Sequence, residues 1–148
     1  GEVDPRPEIL AQLKEKFGEK GSIVVYNASF EKACLKSAAE AYPEYGPWVS
    51  GLENRFVDLL EPFQKFYYYH PRQNGSASLK DVLPALTGVG YSGLEIADGG
   101  SAAAEYYRVT FGDGSKEKDK VRTALEKYCG LDTEGMVKVL SALKEAAV

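Results

Sequence analysis

The sequence predicts an α/β fold that is rich in helix and has an incomplete sheet. Apolar residues recur every three or four positions in five or six stretches, which is typical of amphipathic helices. A short β-branched run at residues 23–26 follows a glycine and does not alternate with polar residues. It predicts a strand that is buried on both faces. One clear strand is too few for an α/β sheet, so we expect the sheet to be incomplete.

The first two predicted helices flank this strand. The first starts after Asp4 and Pro5, a good N-cap and first-turn pair, and ends at Gly18. The second follows the strand and runs to about Tyr42, because Pro43 disfavours helix in the residue before it. We expect the buried side of the second helix to be its apolar face, which consists of Phe30, Cys34, Leu35, Ala38 and Tyr42.

In the middle of the chain, the sequence allows more than one secondary structure. A third helix is predicted before residues 56–60, which fit a helix or a short strand equally well. A further helix begins near Ser76 or Ser78 and is expected to be shortened or kinked by Pro84. Another short helix is predicted over residues 102–109.

Length and charge limit the class of protein. A chain of 148 residues predicts one domain, residues 1–148, with room for a core. The net charge of −4 argues against a module that grips nucleic acid by bulk positive charge. It does not exclude a nuclease, because a bound metal supplies positive charge.

The composition favours a cytoplasmic protein. No apolar run is long enough to cross a membrane, and the charged, proline-rich start is unlike a signal peptide. Cys34 and Cys129 provide neither a disulfide framework nor a zinc-ligand spacing, and we expect both to be small buried hydrophobic residues in a reducing compartment.

The last helix, predicted over residues 116–147, carries an unusual carboxylate. Its apolar face consists of Val121, Leu125, Tyr128, Asp132, Met136, Val139 and Leu143. An ionised carboxylate on a packed face is costly unless it is paired, hydrogen-bonded or metal-bound. Asp132 is therefore a candidate site residue, with Tyr128 one turn before it. A salt bridge to Lys or Arg, or a helix turned toward water, are the structural alternatives. Gly130 and Gly135 allow a backbone or a ligand to approach.

A second candidate lies where the strand passes into the second helix. Glu31 falls in the first turn of that helix, near the carboxyl end of the strand, where open α/β sheets bind ligands. The structural alternative is that Glu31 complements the helix dipole or closes a capping box. Asn27 or Ser29 can cap the same helix.

Both stretches resemble motifs of one nuclease family. Residues 27–31, Asn-Ala-Ser-Phe-Glu, resemble the second motif of the DnaQ-like 3′–5′ exonucleases, whose fold is ribonuclease H-like. Residues 128–132, Tyr-Cys-Gly-Leu-Asp, resemble their third motif in the tyrosine form of the DEDDy class. Together with residues 57–60, 69–71 and 75–84, they are also similar to an uncharacterised bacterial family in which this domain commonly follows a RecB-like nuclease region. The resemblance covers residues 22–143.

The sequence departs from the DnaQ-like pattern in two ways. The second motif usually ends in Asp, and here it ends in Glu31. The first motif, Asp-x-Glu on the first strand, is absent, since residues 132–134 have its letters but lie on the last helix. The resemblance implies a partial ribonuclease H-like fold whose first strands precede the chain. We expect a C-terminal part of a DEDDy-type domain that is inactive by itself.

The resemblance also implies a mechanism. Two Mg²⁺ or Mn²⁺ ions would be held by Glu31, Asp132 and the two carboxylates of the missing motif, and would hydrolyse a phosphodiester at a single-stranded 3′ end. Tyr128 would orient the attacking water, and Asn27 would position Glu31 or act as a plain N-cap. The runner-up is a catalytically dead, nuclease-like binding module. A third interpretation, a plain helical interaction domain, predicts no strand at residues 23–26.

Substrate contacts are predicted in residues 62–80, which contain no acid. Lys65, Arg72 and Lys80 could meet phosphates, and Tyr69 could stack on a base. The alternative is that residues 67–69 form an edge strand or cover the core.

The remaining expectations concern Asp58, Asp98, His70 and the edge of the strand predicted at residues 23–26. Asp58 and Asp98 are expected to be structural, Asp98 as an N-cap, and His70 has no visible partner in the sequence. The sequence leaves open whether the chain forms a homodimer through the exposed edge of the predicted strand, which is compatible with the tendency of unpaired strand edges to bind further strands.

Overall fold

The computed structural model describes residues 3–147 and shows a mostly helical α/β fold. Within those residues it contains seven α-helices, four short 3-10 turns and one two-stranded sheet. The chain divides into two compact units, Gly1–Tyr68 and Tyr69–Val148, which are called the first and second unit below. The helix-rich α/β class is confirmed, and the single domain over residues 1–148 stays a prediction.

The first unit contains four helices and both strands. They are α1 (Arg6–Phe17), β1 (Ile23–Val25), α2 (Ala28–Ala41), α3 (Gly46–Gly51), β2 (Phe56–Asp58) and α4 (Glu61–Gln64). The start of α1 is fixed by Asp4, whose carboxylate accepts the Arg6 amide at 3.0 Å. Gly18 ends α1 with a positive φ of 53°, a conformation that suits glycine. The predicted limits of α1 and α2 are therefore confirmed to within a residue or two.

The sheet is a parallel pair of β1 and β2. Ile23 pairs with Phe56, and Val25 pairs with Asp58. Residues 56–58 are thus strand rather than helix, and the all-helical interpretation is wrong. Ile23 and Val25 are buried with Leu52, but Val24 is only half-buried, so the prediction that both faces of β1 are buried is wrong.

Arg55 ties the loop before β1 to the start of β2. Its guanidinium donates hydrogen bonds of 2.6–3.0 Å to four backbone carbonyls, those of Phe17, Gly18, Lys20 and Gly21. A guanidinium presents five N–H donors in a rigid fork, so the Arg55 side chain can donate to all four carbonyls at once. This clamp fixes where β1 begins beside β2.

The buried face predicted for α2 is wrong in part. Phe30 is 62% exposed and Cys34 is exposed, whereas Ala39 on the same helix is buried. Phe30 and Cys34 instead line an apolar groove of about 670 Å³ between α1, β1 and α2. The apolar face therefore exists as predicted from the sequence, but it lines an open groove.

The second unit packs three helices together, α5 (Leu79–Thr87), α6 (Gly99–Phe111) and α7 (Lys118–Ala146). All three were predicted, and α5 contains Pro84 within its nine residues. Among the described residues, no helix combines the length and the apolar character that a membrane span requires.

The predicted face of α7 points inward. Val121, Tyr128 and Val139 are buried. Gly135 is buried as well, and a Cβ placed on it would lie only 2.8 Å from Cδ2 of Leu83 on α5. Gly135 therefore serves close helix packing. Cys129 and Cys34 are both exposed, so the prediction that the cysteines are buried is wrong for both.

Candidate functional site

The turn between β1 and α2 holds Asn27 in a left-handed conformation, with φ 73° and ψ 68°. Asn27 occupies the N-cap position, but its side chain does not cap the helix. Its Oδ1 instead accepts a hydrogen bond from the Ser29 hydroxyl at 2.6 Å. Asn tolerates this backbone region better than most residues, so its conformation explains the residue type at this position.

Asp58, the last residue of β2, caps α2 from the neighbouring strand. Its Oδ1 accepts the Asn27 amide at 2.9 Å and its Oδ2 accepts the Ala28 amide at 2.8 Å. The same Oδ1 also accepts the Leu60 amide at 2.9 Å. The structural role expected of Asp58 is therefore observed, but its target, 31 positions away in sequence, could not be read from the sequence.

Glu31 is placed one turn into α2, half-buried at the wall of the apolar groove. Within residues 3–147 its carboxylate makes no hydrogen bond or ion pair. Burial raises the pKa of the Glu31 carboxyl, because an apolar wall disfavours the charged form. A half-buried carboxylate without a cationic partner is suited to binding a cation.

In the second unit, Asp132 has a partner that the sequence did not reveal. The hydroxyl of Tyr91 donates a hydrogen bond to Asp132 Oδ1 at 2.5 Å. Tyr91 is 8% exposed and Asp132 is half-buried. A short O–H···O⁻ bond of this kind is charge-assisted and strong. Asp132 is therefore stabilised by a hydrogen bond from a phenol, and not by the ion pair to Lys or Arg that was one structural alternative.

Tyr128 completes this cluster. Its ring lies 6.0 Å from that of Tyr91, and its side chain is buried. Burial, and then the negative charge of Asp132, raise the pKa of Tyr128 to about 12. The phenol is therefore protonated at neutral pH and acts as a hydrogen-bond donor. A Cβ on Gly99 would lie 3.9 Å from the Tyr128 hydroxyl, so the hydroxyl faces the start of α6.

Asp98 caps α6, as predicted. Its carboxylate accepts the Ser101 amide at 2.8 Å and the Ser101 hydroxyl at 2.6 Å. These bonds, and to a smaller degree the charge of Lys80, hold the pKa of the Asp98 carboxyl below its usual range. Lys80, a predicted phosphate contact, is thus close enough to Asp98 to share its electrostatic environment.

The other predicted substrate contacts are dispersed. Lys65 forms an ion pair with Glu61 and lies 5.8 Å from the ring centre of Tyr67. Arg72 is exposed, and Tyr69 is 46% exposed. No strand forms at residues 67–69, so the edge-strand alternative is wrong. Tyr68 packs edge-on against Phe63, as expected of a residue that covers the core.

His70 has a partner, contrary to the sequence-based expectation. Its Nδ1 accepts the Arg72 amide at 3.2 Å, and its own amide donates to Oε1 of Gln73 at 2.7 Å. Gln73 is only 2% exposed and also donates to the Ser76 carbonyl. This capping box orders the loop that follows Tyr69.

The candidate site residues therefore fall into two groups. Asn27, Glu31 and Asp58 lie together in the first unit, and Tyr128 and Asp132 lie with Tyr91 in the second. The convergence of Glu31 with Asp132 stays a prediction. Carboxylate oxygens are the ligands that Mg²⁺ and Mn²⁺ prefer, so both residues fit those ions chemically. Within the described part of the chain, no group of three or more His, Cys, Asp or Glu residues could hold a metal by itself.

Comparison with known proteins places the chain in one family. A family model described as a domain of unknown function, DUF2779, matches residues 1–78. The matched region contains the β1–α2 turn, Asp58 and the loop capped by His70. No curated protein and no solved structure matches the chain. Because the family model covers more than half of the 148 residues, the chain belongs to the DUF2779 family.

Proposed function

We propose that the chain is part of a metal-dependent 3′–5′ exonuclease domain of the DEDDy type, with a partial ribonuclease H-like fold. The observation that carries the proposal is the pair Tyr128 and Asp132 on the buried face of α7. The phenol is protonated and lies beside the carboxylate, as a Tyr-x-x-x-Asp motif requires. A protonated phenol can orient a water molecule by hydrogen bonding.

The first unit supports the same proposal. Glu31 follows the carboxyl end of a parallel strand, the edge at which open α/β sheets bind ligands. The apolar groove lies on the face of β1 that carries Ile23 and Val25, and the edge of β1 away from β2 is unpaired in the described part of the chain. We propose that strands carrying an Asp-x-Glu motif pair with this edge in the complete domain. Pairing with a second copy through the same edge is the alternative.

In the proposed site, Glu31 and Asp132 would hold the metal ions together with the Asp-x-Glu carboxylates. When bound, Mg²⁺ or Mn²⁺ would supply an activated water and stabilise the leaving oxygen. Tyr128 would align that water, and the β1–α2 turn at Asn27 would set the direction of Glu31. Because this chain supplies two of four carboxylates, we expect no hydrolysis without the other two.

A single-stranded 3′ end is the proposed substrate. Arg72, exposed at the capped loop, is the best placed of the proposed phosphate contacts, because Lys65 is already paired with Glu61 and Lys80 lies near Asp98. Tyr69 offers an aromatic surface on which a base can stack.

One observation favours a second candidate, a nuclease-like binding module without catalysis. The hydrogen bond from Tyr91 already occupies one oxygen of Asp132. A carboxylate satisfied in this way is stable without any metal ion, so the same geometry is compatible with a structural role.

The decisive experiment uses the natural protein that contains residues 1–148 and a 5′-labelled single-stranded oligonucleotide with Mn²⁺. We expect stepwise shortening from the 3′ end, which Asp132→Asn abolishes. Glu126→Gln is the matched control, because Glu126 lies on α7 but is exposed and paired with Arg122. It is expected to cleave like the unaltered protein.

Two other results would change the conclusion. No cleavage of DNA or RNA, with either Mg²⁺ or Mn²⁺, would favour the binding module. Equal cleavage by the unaltered protein and by Asp132→Asn would show that the reaction occurs at another site.

A further inference from the structure

We infer that Asp58 is the positioning residue of Glu31, because the Asp58 carboxylate fixes the β1–α2 connection at which helix α2 begins. The inference rests on the proposed role of Glu31 as a metal ligand. It adds a residue that acts on the metal site from the neighbouring strand without being a ligand itself.

The contacts of Asp58 join the ends of two strands to the start of a helix. Asp58 pairs with Val25 in the sheet, so its side chain lies beside the residue where β1 ends. From there its two oxygens accept the amides of Asn27 and Ala28, at 2.9 and 2.8 Å. Its bond to the Leu60 amide holds the carboxylate against its own backbone.

These bonds set the conformation that directs Glu31. Asn27 adopts the left-handed region, which is unfavourable for most residues unless the surroundings hold it there. The amides at the start of a helix lack partners within the helix, and a carboxylate there satisfies them and complements the helix dipole. Because Asn27 does not cap α2 with its own side chain, Asp58 performs that task. Glu31 follows Ala28 by three residues, within the turn so anchored.

The geometry requires a carboxylate in particular. Each oxygen of Asp58 accepts an amide of the β1–α2 turn, and Oδ1 accepts the Leu60 amide as well. An asparagine offers one acceptor oxygen and one donor nitrogen. Asp58→Asn would therefore lose at least one bond and place an NH₂ group against a backbone N–H. The turn would shift, and Glu31 with it.

The test follows Mn²⁺ binding to the natural protein that contains residues 1–148, by the paramagnetic broadening of amide NMR signals around Glu31. Changes in residues that orient a metal ligand typically reduce metal affinity by about 10–100-fold. We expect Asp58→Asn to raise the Mn²⁺ concentration for half-broadening by about tenfold. The amide signals of Asn27 and Ala28 should move upfield in the same variant, since they lose a charged acceptor.

Two controls separate the inference from the proposed function. Glu8→Gln neutralises an exposed carboxylate of α1 in the same unit, where Glu8 accepts a hydrogen bond from Gln12 on the same helix. It should leave the broadening midpoint unchanged. Glu31→Gln should abolish the local broadening. If the unaltered chain shows no Mn²⁺ effect at Glu31, the metal role of Glu31 fails and the inference fails with it.

The inference alone is overturned if Glu31→Gln abolishes broadening while a folded Asp58→Asn chain keeps the midpoint of the unaltered protein. Circular dichroism establishes whether the variant is folded. Should Asp58→Asn unfold, Asp58→Glu decides the question, because it keeps the charge and both acceptors but displaces them by one methylene. A folded Asp58→Glu chain with an unchanged midpoint would show that Glu31 does not depend on Asp58.

Discussion

The hydroxyl of Tyr91 donates a 2.5 Å hydrogen bond to Asp132 Oδ1, and the two residues are 41 positions apart in sequence. This bond explains how a carboxylate can interrupt the buried face of α7 without a cationic partner. It engages one oxygen of Asp132 and orients the other. A side chain held in this way has the fixed geometry that a metal ligand needs.

We predict that Tyr91→Phe lowers the free energy of unfolding by about 1.5–3 kcal/mol, the usual contribution of a hydrogen bond to a charged group. The loss arises because the half-buried carboxylate of Asp132 loses the short hydrogen bond from Tyr91. Urea denaturation of the 148-residue chain measures it. In an Asp132→Ala background the same change should cost much less, so that the coupling energy is about 1–3 kcal/mol.

Tyr106→Phe is the matched control for this cycle. Tyr106 lies on α6 and is 47% exposed, so loss of its hydroxyl should change stability by no more than about 0.5 kcal/mol. A coupling energy near zero between Tyr91 and Asp132 would mean that their bond contributes nothing in solution.

A second prediction concerns the titration of Tyr128. Its pKa in the folded chain is raised to about 12, above the unfolded value of about 10. The stability that protonated Tyr128 contributes is therefore complete below pH 10 and is lost as the pH rises through 12. Tyr128→Phe should remove tyrosinate absorbance near 295 nm from the late part of the titration, to which Tyr42 also contributes because its hydrogen bond to Asp4 raises its pKa. Loss of absorbance around pH 10 instead would contradict the assignment.

The sequence predicted those candidate site residues whose own positions were anomalous. Asp132 was found because it breaks a helical apolar pattern, and Glu31 because it follows a strand. The hydrogen bond of Tyr91 to Asp132 and the bond of Asp58 to the Asn27 amide were not predicted, because contacts across 41 and 31 positions depend on tertiary packing. Sequence patterns identify helix faces and caps, but they do not show which side chains contact each other in the folded chain.

The errors in the sequence analysis have a common cause. Periodicity identified the apolar face of α2, but a face is buried only if another element covers it, and Phe30 borders an open groove. Cys129 was expected to be buried because of its residue type, yet it is exposed. The strand at 56–58 was ambiguous because three residues are too few to show a period.

A third prediction separates the backbone of Asn27 from its side chain. Because Asn27 has a φ of 73°, Asn27→Ala should lower the stability of the chain by about 1 kcal/mol, while Asn27→Gly should be nearly neutral. Chemical denaturation of both variants measures this difference. If the Asn27 side chain took part in the proposed hydrolysis, both variants of the natural protein would lose the proposed nuclease activity. We expect Asn27→Gly to retain it, since its turn and the cap from Asp58 remain.

A fourth prediction compares two glycines on α7. Gly130 is exposed, and a Cβ on it would have no atom within 4 Å outside the helix. Gly130→Ala should therefore stabilise the chain by about 0.5–1 kcal/mol through higher helix propensity. Gly135 is buried, and a Cβ on it would lie 2.8 Å from Cδ2 of Leu83, a fully buried side chain on α5.

Gly135→Ala gains the same helix propensity but must displace Leu83 within a packed core, and overpacking of this kind typically costs about 1–3 kcal/mol. We expect a net loss of up to about 2 kcal/mol, measured by urea denaturation alongside Gly130→Ala. The two variants share chemistry and helix, so their difference reports the α5–α7 contact alone. If both variants were stabilised equally, the close approach of Leu83 to α7 would not exist in solution, and the packing that positions Tyr128 and Asp132 would need to be redrawn.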